Sequence, residues 1–206
     1  MRHGRPDGVG TLARMDEDLR ALADRVRGEA RGRSDGPAVC EALLATEDGE
    51  ELARVLTAPQ QPLWAREIAA FRLGCAGDRR AFEALVLLLN HRDPERCVSA
   101  SYALARLGDP RTPRAAAALA TNALRTAYAL HPVRLLAELR APESVPALTA
   151  TLRRLLAPGD PHWRVALACV EGLGRLADPR ARAALEAARA HPRLNAAAEA
   201  ALARLP

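Results

Sequence analysis

Apolar and polar positions alternate along most of this chain with the period of an α-helix. The segments DRRAFEALVLLL at residues 78–89 and DPRARAALEAAR at residues 178–189 carry apolar or small residues three and four positions apart. This spacing places the apolar side chains in one stripe along a helix. Alanine, leucine and arginine dominate the composition and β-branched residues are sparse, so we predict an all-α chain.

A nearly identical junction interrupts the helical pattern twice, as ALARLGDPRT at residues 103–112 and as GLGRLADPRA at residues 172–181. In the first copy, Gly108 can adopt the left-handed conformation that ends a helix. Asp109 can cap the following helix, and Pro110 suits the first position of that helix. The junction therefore ends one helix and begins another within a short turn, which predicts antiparallel neighbours.

Weaker forms of the same junction recur along the chain. The residues that precede each new helix are Asp78, Asp109, Ala141 and Asp178, which are separated by intervals of 31, 32 and 37 residues. Each interval is long enough for two helices. A period of this length made of helix pairs is typical of an α-solenoid, here with about five pairs.

Two segments carry much of a known repeat pattern, V-R-x-A-A-x-A-L-G-x-L-G-D-P-x-A-V-P-A-L. They are ASYALARLGDPR at residues 100–111 and APESVPALTATL at residues 141–152. Residues 62–206 resemble HEAT repeats, specifically the bacterial HEAT-like kind named after phycobilisome lyases. The resemblance implies a right-handed α-solenoid of HEAT-like helix pairs, and it specifies little about function.

We expect three segments along the chain. Residues 1–10 lack the apolar core of a signal peptide and are predicted to form a disordered leader. Residues 11–36 are predicted to form a charged N-terminal helix and a loop, and residues 37–206 the repeat solenoid, closed by a C-terminal cap helix. No stretch is long and apolar enough to predict a membrane span, so we expect a cytoplasmic protein without membrane contact.

Charge is unevenly distributed, although the net charge is +5. Residues 63–206 carry 21 arginines against 13 acidic residues, whereas residues 1–62 carry 9 against 12. A basic body favours an anionic partner. Arginine in the absence of lysine, with abundant alanine, glycine and proline, is equally typical of a GC-rich bacterial genome in which arginine takes the surface role of lysine.

Candidate chemistry is scarce in the sequence. The four cysteines, Cys40, Cys75, Cys97 and Cys169, lie in apolar helical stretches without a CxxC spacing, so we expect buried free thiols. No histidine is followed by glutamate, although deoxyhypusine hydroxylases, which resemble this architecture, bind iron through His-Glu dipeptides. We find no phosphate-binding glycine loop and no catalytic triad. We therefore predict no catalytic residues, no metal site and no cofactor.

The function that we predict from these observations is a non-enzymatic scaffold that binds a protein or peptide in its concave groove. One alternative is a nucleic-acid-binding protein, for example one similar to the HEAT-like glycosylases that remove alkylated bases. A second alternative is a small-molecule-binding protein or biosynthetic enzyme, which would require a pocket with convergent polar groups. The candidate groove residues are Arg80, Arg114, Asn122, Arg153, Arg154, Arg182 and Glu186, and the candidate edge residues are Trp64, His162 and Trp163.

Overall fold

The computed structural model describes residues 20–206, so the predicted leader at 1–10 and residues 11–19 of the predicted N-terminal helix lie outside it. Within the described range the chain is helical and contains no strand. The predicted fold class, an all-α solenoid of HEAT-like helix pairs, is confirmed. The chain divides into two compact units.

Unit 1 comprises the described residues up to Leu88 together with Glu95–Leu107. Its first helix, α1, covers residues 20–30, the described part of the predicted charged N-terminal helix. The other helices of unit 1 are α2 (Gly36–Ala45), α3 (Gly49–Thr57), α4 (Leu63–Cys75), α5 (Phe82–Leu89) and α6 (Pro94–Leu107). The last residue of α5 and the first residue of α6 belong to unit 2.

The core of unit 1 lies around α4, nine of whose thirteen residues are buried. Ile68 and Leu73 are fully covered, and the ring of Phe71 stacks on that of Tyr102 from α6 at a centroid distance of 6.0 Å. Gly74 lets α4 approach its neighbours closely. A Cβ atom at Gly74 would meet Leu85 of α5 at 2.7 Å.

Unit 2 comprises Leu89–Pro94 and Gly108–Pro206. Helix α10 packs against α8, α9 and α12, and α7 packs against α8 and α9. The C-terminal helix α12 also packs against α11, in the place of the predicted cap. The helices of this unit are α7 (Thr112–Thr121), α8 (Leu130–Leu139), α9 (Ser144–Leu155), α10 (Trp163–Leu176), α11 (Arg182–Ala188) and α12 (Asn195–Leu202).

Helix α8 is the irregular member of this series. It has 10 residues, whereas α6 and α10 have 14 each. Pro132 lies in its first turn, where a missing N–H is tolerated. The preceding residues form a 3₁₀ segment, Ala123–Tyr128, instead of extending α8. The repeat is therefore shortened at the position where the proline interrupts the pattern.

The repeated junctions share one backbone conformation. Gly77 and Gly108 have φ values of 80° and 63°, as a helix-ending glycine requires. Arg140 and Ala177 occupy the corresponding positions in the other two junctions, and both have φ of 52°. The left-handed turn is thus kept even where the chain has no glycine, at the steric cost that a Cβ atom brings.

An aspartate follows three of these four turns. Asp78 and Asp178 cap the 3₁₀ segments that come next, whereas α7 begins at Thr112 without a side-chain cap, so the predictions that Asp109 caps this helix and that Pro110 is its first residue were wrong. All three junctions nevertheless share one arrangement around the aspartate. Its side chain accepts a hydrogen bond from the backbone N–H two residues later and forms an ion pair with the arginine at that same position. Because one arginine supplies both contacts, the junction is held by residues that are adjacent in sequence. The three pairs are Asp78 with Arg80, Asp109 with Arg111 and Asp178 with Arg180.

Candidate functional site

A buried carboxylate lies at the centre of unit 1. Glu67 is in the middle of α4, between apolar residues that pack into the core, and its side chain is 0% exposed. Burying an ionised carboxylate is strongly unfavourable unless charged and hydrogen-bonding partners compensate it. The partners of Glu67 therefore determine what this part of the molecule can do.

Two arginines from different helices bind Glu67. Arg25 of α1 donates from Nη1 to Oε2 of Glu67 at 3.0 Å and from Nη2 to Oε1. Arg96 of α6 donates from Nη1 to Oε2 of Glu67 and from Nη2 to Oε1 of Glu29 at 2.5 Å. The hydroxyl of Ser99 donates to Oε1 of Glu67 at 3.3 Å. We call these five residues the Glu67 cluster, and it joins α1, α4 and α6.

Helical spacing brings these side chains together. Arg25 and Glu29 are four residues apart on α1 and form an ion pair at 3.2 Å. Arg96 and Ser99 are three residues apart on α6. Residues three and four apart share a helix face, so α1 and α6 each present two polar groups to the same point on α4.

A pocket of about 480 Å³ opens beside the Glu67 cluster. We call it the α1 pocket. Its volume lies within the range of small-molecule sites. Arg25 and Ser99 belong both to the pocket wall and to the cluster, so a ligand in the pocket would touch the cluster directly. The lining residues are Ala21, Leu22, Asp24, Arg25, Glu95, Val98 and Ser99.

The α1 pocket combines an apolar surface with acidic groups. Leu22 and Val98 supply the apolar part. The carboxylates of Asp24 and Glu95 are 80% and 74% exposed, and Glu95 lies 3.6 Å from Nε of Arg25. The pocket and the cluster together hold four carboxylates and two guanidinium groups, and Nη1 of Arg27 lies 3.5 Å from Oδ1 of Asp24, which leaves an excess of one negative charge. The excess of negative charge favours a cationic group with an apolar body.

Two of the residues predicted from sequence lie in unit 1, outside this pocket. Arg80 bonds to Asp78 at 2.6 Å and to Glu50 at 2.9 Å, and these two carboxylates raise the pKa of its guanidinium. Trp64 is 5% exposed and is part of the core of α4. The fold thus uses Arg80 at a helix junction and Trp64 for packing.

The other predicted residues lie in unit 2. Asn122 caps the 3₁₀ segment by accepting from the N–H of Leu124 at 3.0 Å, and Arg154 reaches the same segment through Thr126. Arg182 donates to the carbonyl of Pro206 at 3.0 Å. The structure therefore brings Asn122 and Arg154 to one turn. Arg114, Arg153 and Glu186 are exposed on α7, α9 and α11.

The predicted edge residues Trp163 and His162 are half-buried at the start of α10. The guanidinium carbon of Arg164 lies 5.1 Å from the centroid of the Trp163 ring, and that of Arg193 lies 4.9 Å from it. Two arginines thus make cation–π contacts with the indole.

Sequence reasoning missed the Glu67 cluster and the α1 pocket. Helix α1 was predicted as a charged N-terminal helix, but the sequence did not show which of its charged side chains are buried. One signal was available in the sequence: Glu67 interrupts the apolar face of WAREIAAFRLGC at residues 64–75. An acidic residue in such a position needs a basic partner, but the sequence did not show which arginine supplies it.

Further chemistry is sparse in the part of the chain that the structure describes. Between residues 20 and 206 no group of three or more His, Cys, Asp or Glu side chains is placed to hold a metal ion. Cys40, Cys97 and Cys169 are buried free thiols, and Cys75 is partly exposed. None of the helices in this range is long and apolar enough to cross a membrane.

Comparison with solved structures gives a likeness in fold. No family model matches the chain, and no curated protein matches it. Human deoxyhypusine hydroxylase in complex with glycerol is similar, with a TM-score of 0.48 and 18% sequence identity, over 95% of this chain and 97% of that one. At this identity the likeness concerns the fold alone.

The comparison nevertheless corrects our prediction of a non-enzymatic scaffold that holds a protein or peptide in its groove. That prediction was wrong by this comparison, because the similar structure is that of an enzyme, which falls under our alternative of an enzyme or small-molecule binder. The physical reason is that helix pairs form the support while side chains at particular sites carry the chemistry. The missing motifs were therefore no ground for excluding a site.

Proposed function

We propose that this chain is a bacterial, cytoplasmic HEAT-like protein of the phycobilisome-lyase repeat type whose unit 1 binds a small organic cation in the α1 pocket. The observation that supports the proposal is the excess of carboxylates around a pocket with an apolar surface. The four cysteines are free thiols, which is usual in a reducing compartment.

The charge of the ligand follows from the acidic groups at the pocket. Asp24 and Glu95 extend into solvent, so each can approach a ligand without losing its hydration completely. The guanidinium of Arg25 is only 12% exposed and is directed at Glu67 and Glu29. A ligand cation would therefore meet exposed carboxylates before it meets Arg25, whose charge is balanced by acids in contact with it.

The apolar part of the ligand follows from the remaining wall. Val98 is 42% exposed, which is a large fraction for an aliphatic side chain next to a pocket, whereas Leu22 is 2% exposed. A short alkyl chain placed between them would cover the exposed surface of Val98 and gain hydrophobic stabilisation. The ligand class is therefore an amine or guanidine that carries a short apolar chain.

The test compares three probes of equal size and different charge: hexylamine, hexanol and hexanoate. Each is titrated into the full-length protein while amide chemical shifts are followed by NMR. We expect hexylamine to bind most tightly and to shift the signals of residues 20–25 and 95–99. Stronger binding of hexanoate than of hexylamine would contradict the cation assignment.

Two pairs of variants locate the site. Val98→Trp fills the pocket and should abolish the shifts, whereas Leu87→Trp adds the same ring at a position that is 73% exposed elsewhere in unit 1 and should leave them unchanged. Asp24→Asn should weaken hexylamine binding several-fold, and Asp35→Asn, which removes an exposed acid away from the pocket, should not. Equal effects within either pair would overturn the proposed site.

A further inference from the structure

Two arginines have side-chain contacts at the 3₁₀ segment Ala123–Tyr128 of unit 2. Arg125 lies within the segment, and Arg154 reaches it from α9 by donating from Nη1 to Oγ1 of Thr126 at 2.7 Å. The hydroxyl of Thr126 in turn donates to the carbonyl of Ala123 at 3.0 Å. One short turn therefore includes Arg125 and is hydrogen-bonded to Arg154.

Neutral groups surround both arginines. Arg125 donates from Nη2 to the carbonyl of Asn90 at 2.6 Å, and its guanidinium carbon lies 4.5 Å from the centroid of the Tyr128 ring. Among residues 20–206, no carboxylate forms an ion pair with Arg125 or Arg154. Two half-buried positive charges thus lack a negative counterpart in this part of unit 2.

Each guanidinium also has a buried donor without an acceptor. Nε of Arg125 and Nη2 of Arg154 are inaccessible to solvent and make no hydrogen bond. A buried donor without an acceptor is destabilising, especially on a charged group. The arginines at the helix junctions differ in this respect, since Arg180, for example, donates from Nε to Oδ1 and from Nη2 to Oδ2 of Asp178.

We propose that the Ala123–Tyr128 turn is a binding site for a phosphate-type oxyanion, independent of the α1 pocket. Such an anion supplies both the negative charge and the acceptors that Arg125 and Arg154 lack. Phosphate oxygens match the planar fork of arginine, and two guanidinium groups suit a multiply charged anion better than a single carboxylate. The ligand class is a phosphate monoester or a diphosphate.

Entry of the anion requires the turn to shift, because both donors without an acceptor are covered. Arg125 departs from helical geometry, with φ of −122° and ψ of 18°. Leu124 is 93% exposed, so no packing holds that side of the turn. Uncovering Nε of Arg125 requires a displacement of the turn, which would also change the contact between Arg154 of α9 and Thr126.

The experiment titrates the full-length protein with inorganic phosphate and pyrophosphate by calorimetry, with KCl of matched ionic strength as the blank. We expect pyrophosphate to bind more tightly than phosphate, and Arg154→Gln to weaken that binding by about tenfold or more, as expected when a charge-assisted contact is lost. Arg153→Gln removes the same charge from the neighbouring, exposed position and should change the affinity less than about twofold.

Two results would overturn the proposal: absence of pyrophosphate binding to the wild-type protein, or an equal loss of affinity in Arg153→Gln. If Arg154→Gln does not fold, the NMR signal of the Nε–Hε group of Arg125 decides instead. That signal, assigned by its absence in Arg125→Lys, should move when pyrophosphate is added to the wild-type protein. An unchanged signal would show that the turn takes no oxyanion.

Discussion

Arg25 on α1 donates from Nη1 to Oε2 of Glu67 on α4 across 3.0 Å, and the carboxylate that accepts this bond is completely buried. The N-terminal helix is therefore attached to the rest of unit 1 inside the core and not only at the surface. Because the α1 pocket is built on the same arginine, the attachment of α1 and the shape of the proposed site depend on one another.

Replacing Glu67 should destabilise the protein strongly. Glu67→Gln removes the negative charge between Arg25 and Arg96 and leaves two poorly exposed guanidinium groups without it. Loss of one partner of a buried ion pair lowers the free energy of unfolding by about 3–5 kcal/mol. Urea unfolding followed by circular dichroism measures the loss.

The matched control is Glu41→Gln, because Glu41 pairs with Arg27 at 2.7 Å on the surface, where the two side chains are 57% and 44% exposed. The effect of Glu41→Gln on the free energy of unfolding should be much smaller, because an exposed ion pair is screened by solvent. An equal loss of unfolding free energy in both variants would show that the buried ion pairs of Glu67 stabilise the protein no more than a surface ion pair does.

Gly74 should not tolerate a side chain. In Gly74→Ala the new Cβ would lie 2.7 Å from Cδ1 of Leu85 and 3.1 Å from Cβ of Ala103. Such overpacking costs about 1–3 kcal/mol of folding free energy. Gly28 on α1 has no atom within 4 Å of its would-be Cβ, so Gly28→Ala should stabilise the protein by up to about 1 kcal/mol. Thermal melts of the two variants should move in opposite directions.

Replacing Ala177 by glycine should stabilise the protein. It ends α10 with φ of 52°, a conformation that is strained for a residue with a Cβ atom and free for glycine. Ala177→Gly should raise the free energy of unfolding by about 1 kcal/mol. Ala183→Gly, at an exposed site within α11, should lower it by a similar amount. Destabilisation by both changes would mean that the left-handed turn stores no strain.

Asp178 should titrate at unusually low pH. The side-chain hydrogen bond from Arg180, and then the backbone N–H of the same residue, hold the pKa of Asp178 below its ordinary value. Its contribution to stability is present above the pKa of the unfolded chain and disappears as the pH falls through the lower folded pKa. Carboxyl chemical shifts measured below pH 5 should show this, and Arg180→Gln should move the midpoint upward. An unchanged midpoint would contradict the pairing.

Cys169 should be the slowest thiol to react. Its burial in α10 raises the pKa of the Cys169 thiol to about 12, against a smaller opposite effect of Arg154. Since the thiolate is the nucleophile, iodoacetamide at pH 8 should modify the partly exposed Cys75 first. Peptide mapping by mass spectrometry gives the order, and early labelling of Cys169 would mean that α10 opens readily.

The sequence by itself determined the helix pairs and their junctions. Helix ends depend on residues within a few positions of one another, so the local order of residues was enough to assign Gly108 to a left-handed turn, although Asp109 does not cap α7 as predicted. The short helix α8 has a local cause as well, because Pro132 lies in its first turn. Ala177 was harder to predict, since no glycine marks its turn.

Only the tertiary structure decided where ligands could bind. Arg25 and Glu67 are 42 residues apart, and Arg154 and Thr126 are 28 residues apart. No periodic pattern relates residues at such separations, because the pairing depends on how whole helices pack. The local chemistry of the chain thus specifies each helix and each turn. The packing of the helices determines which charged side chains form ion pairs and which do not.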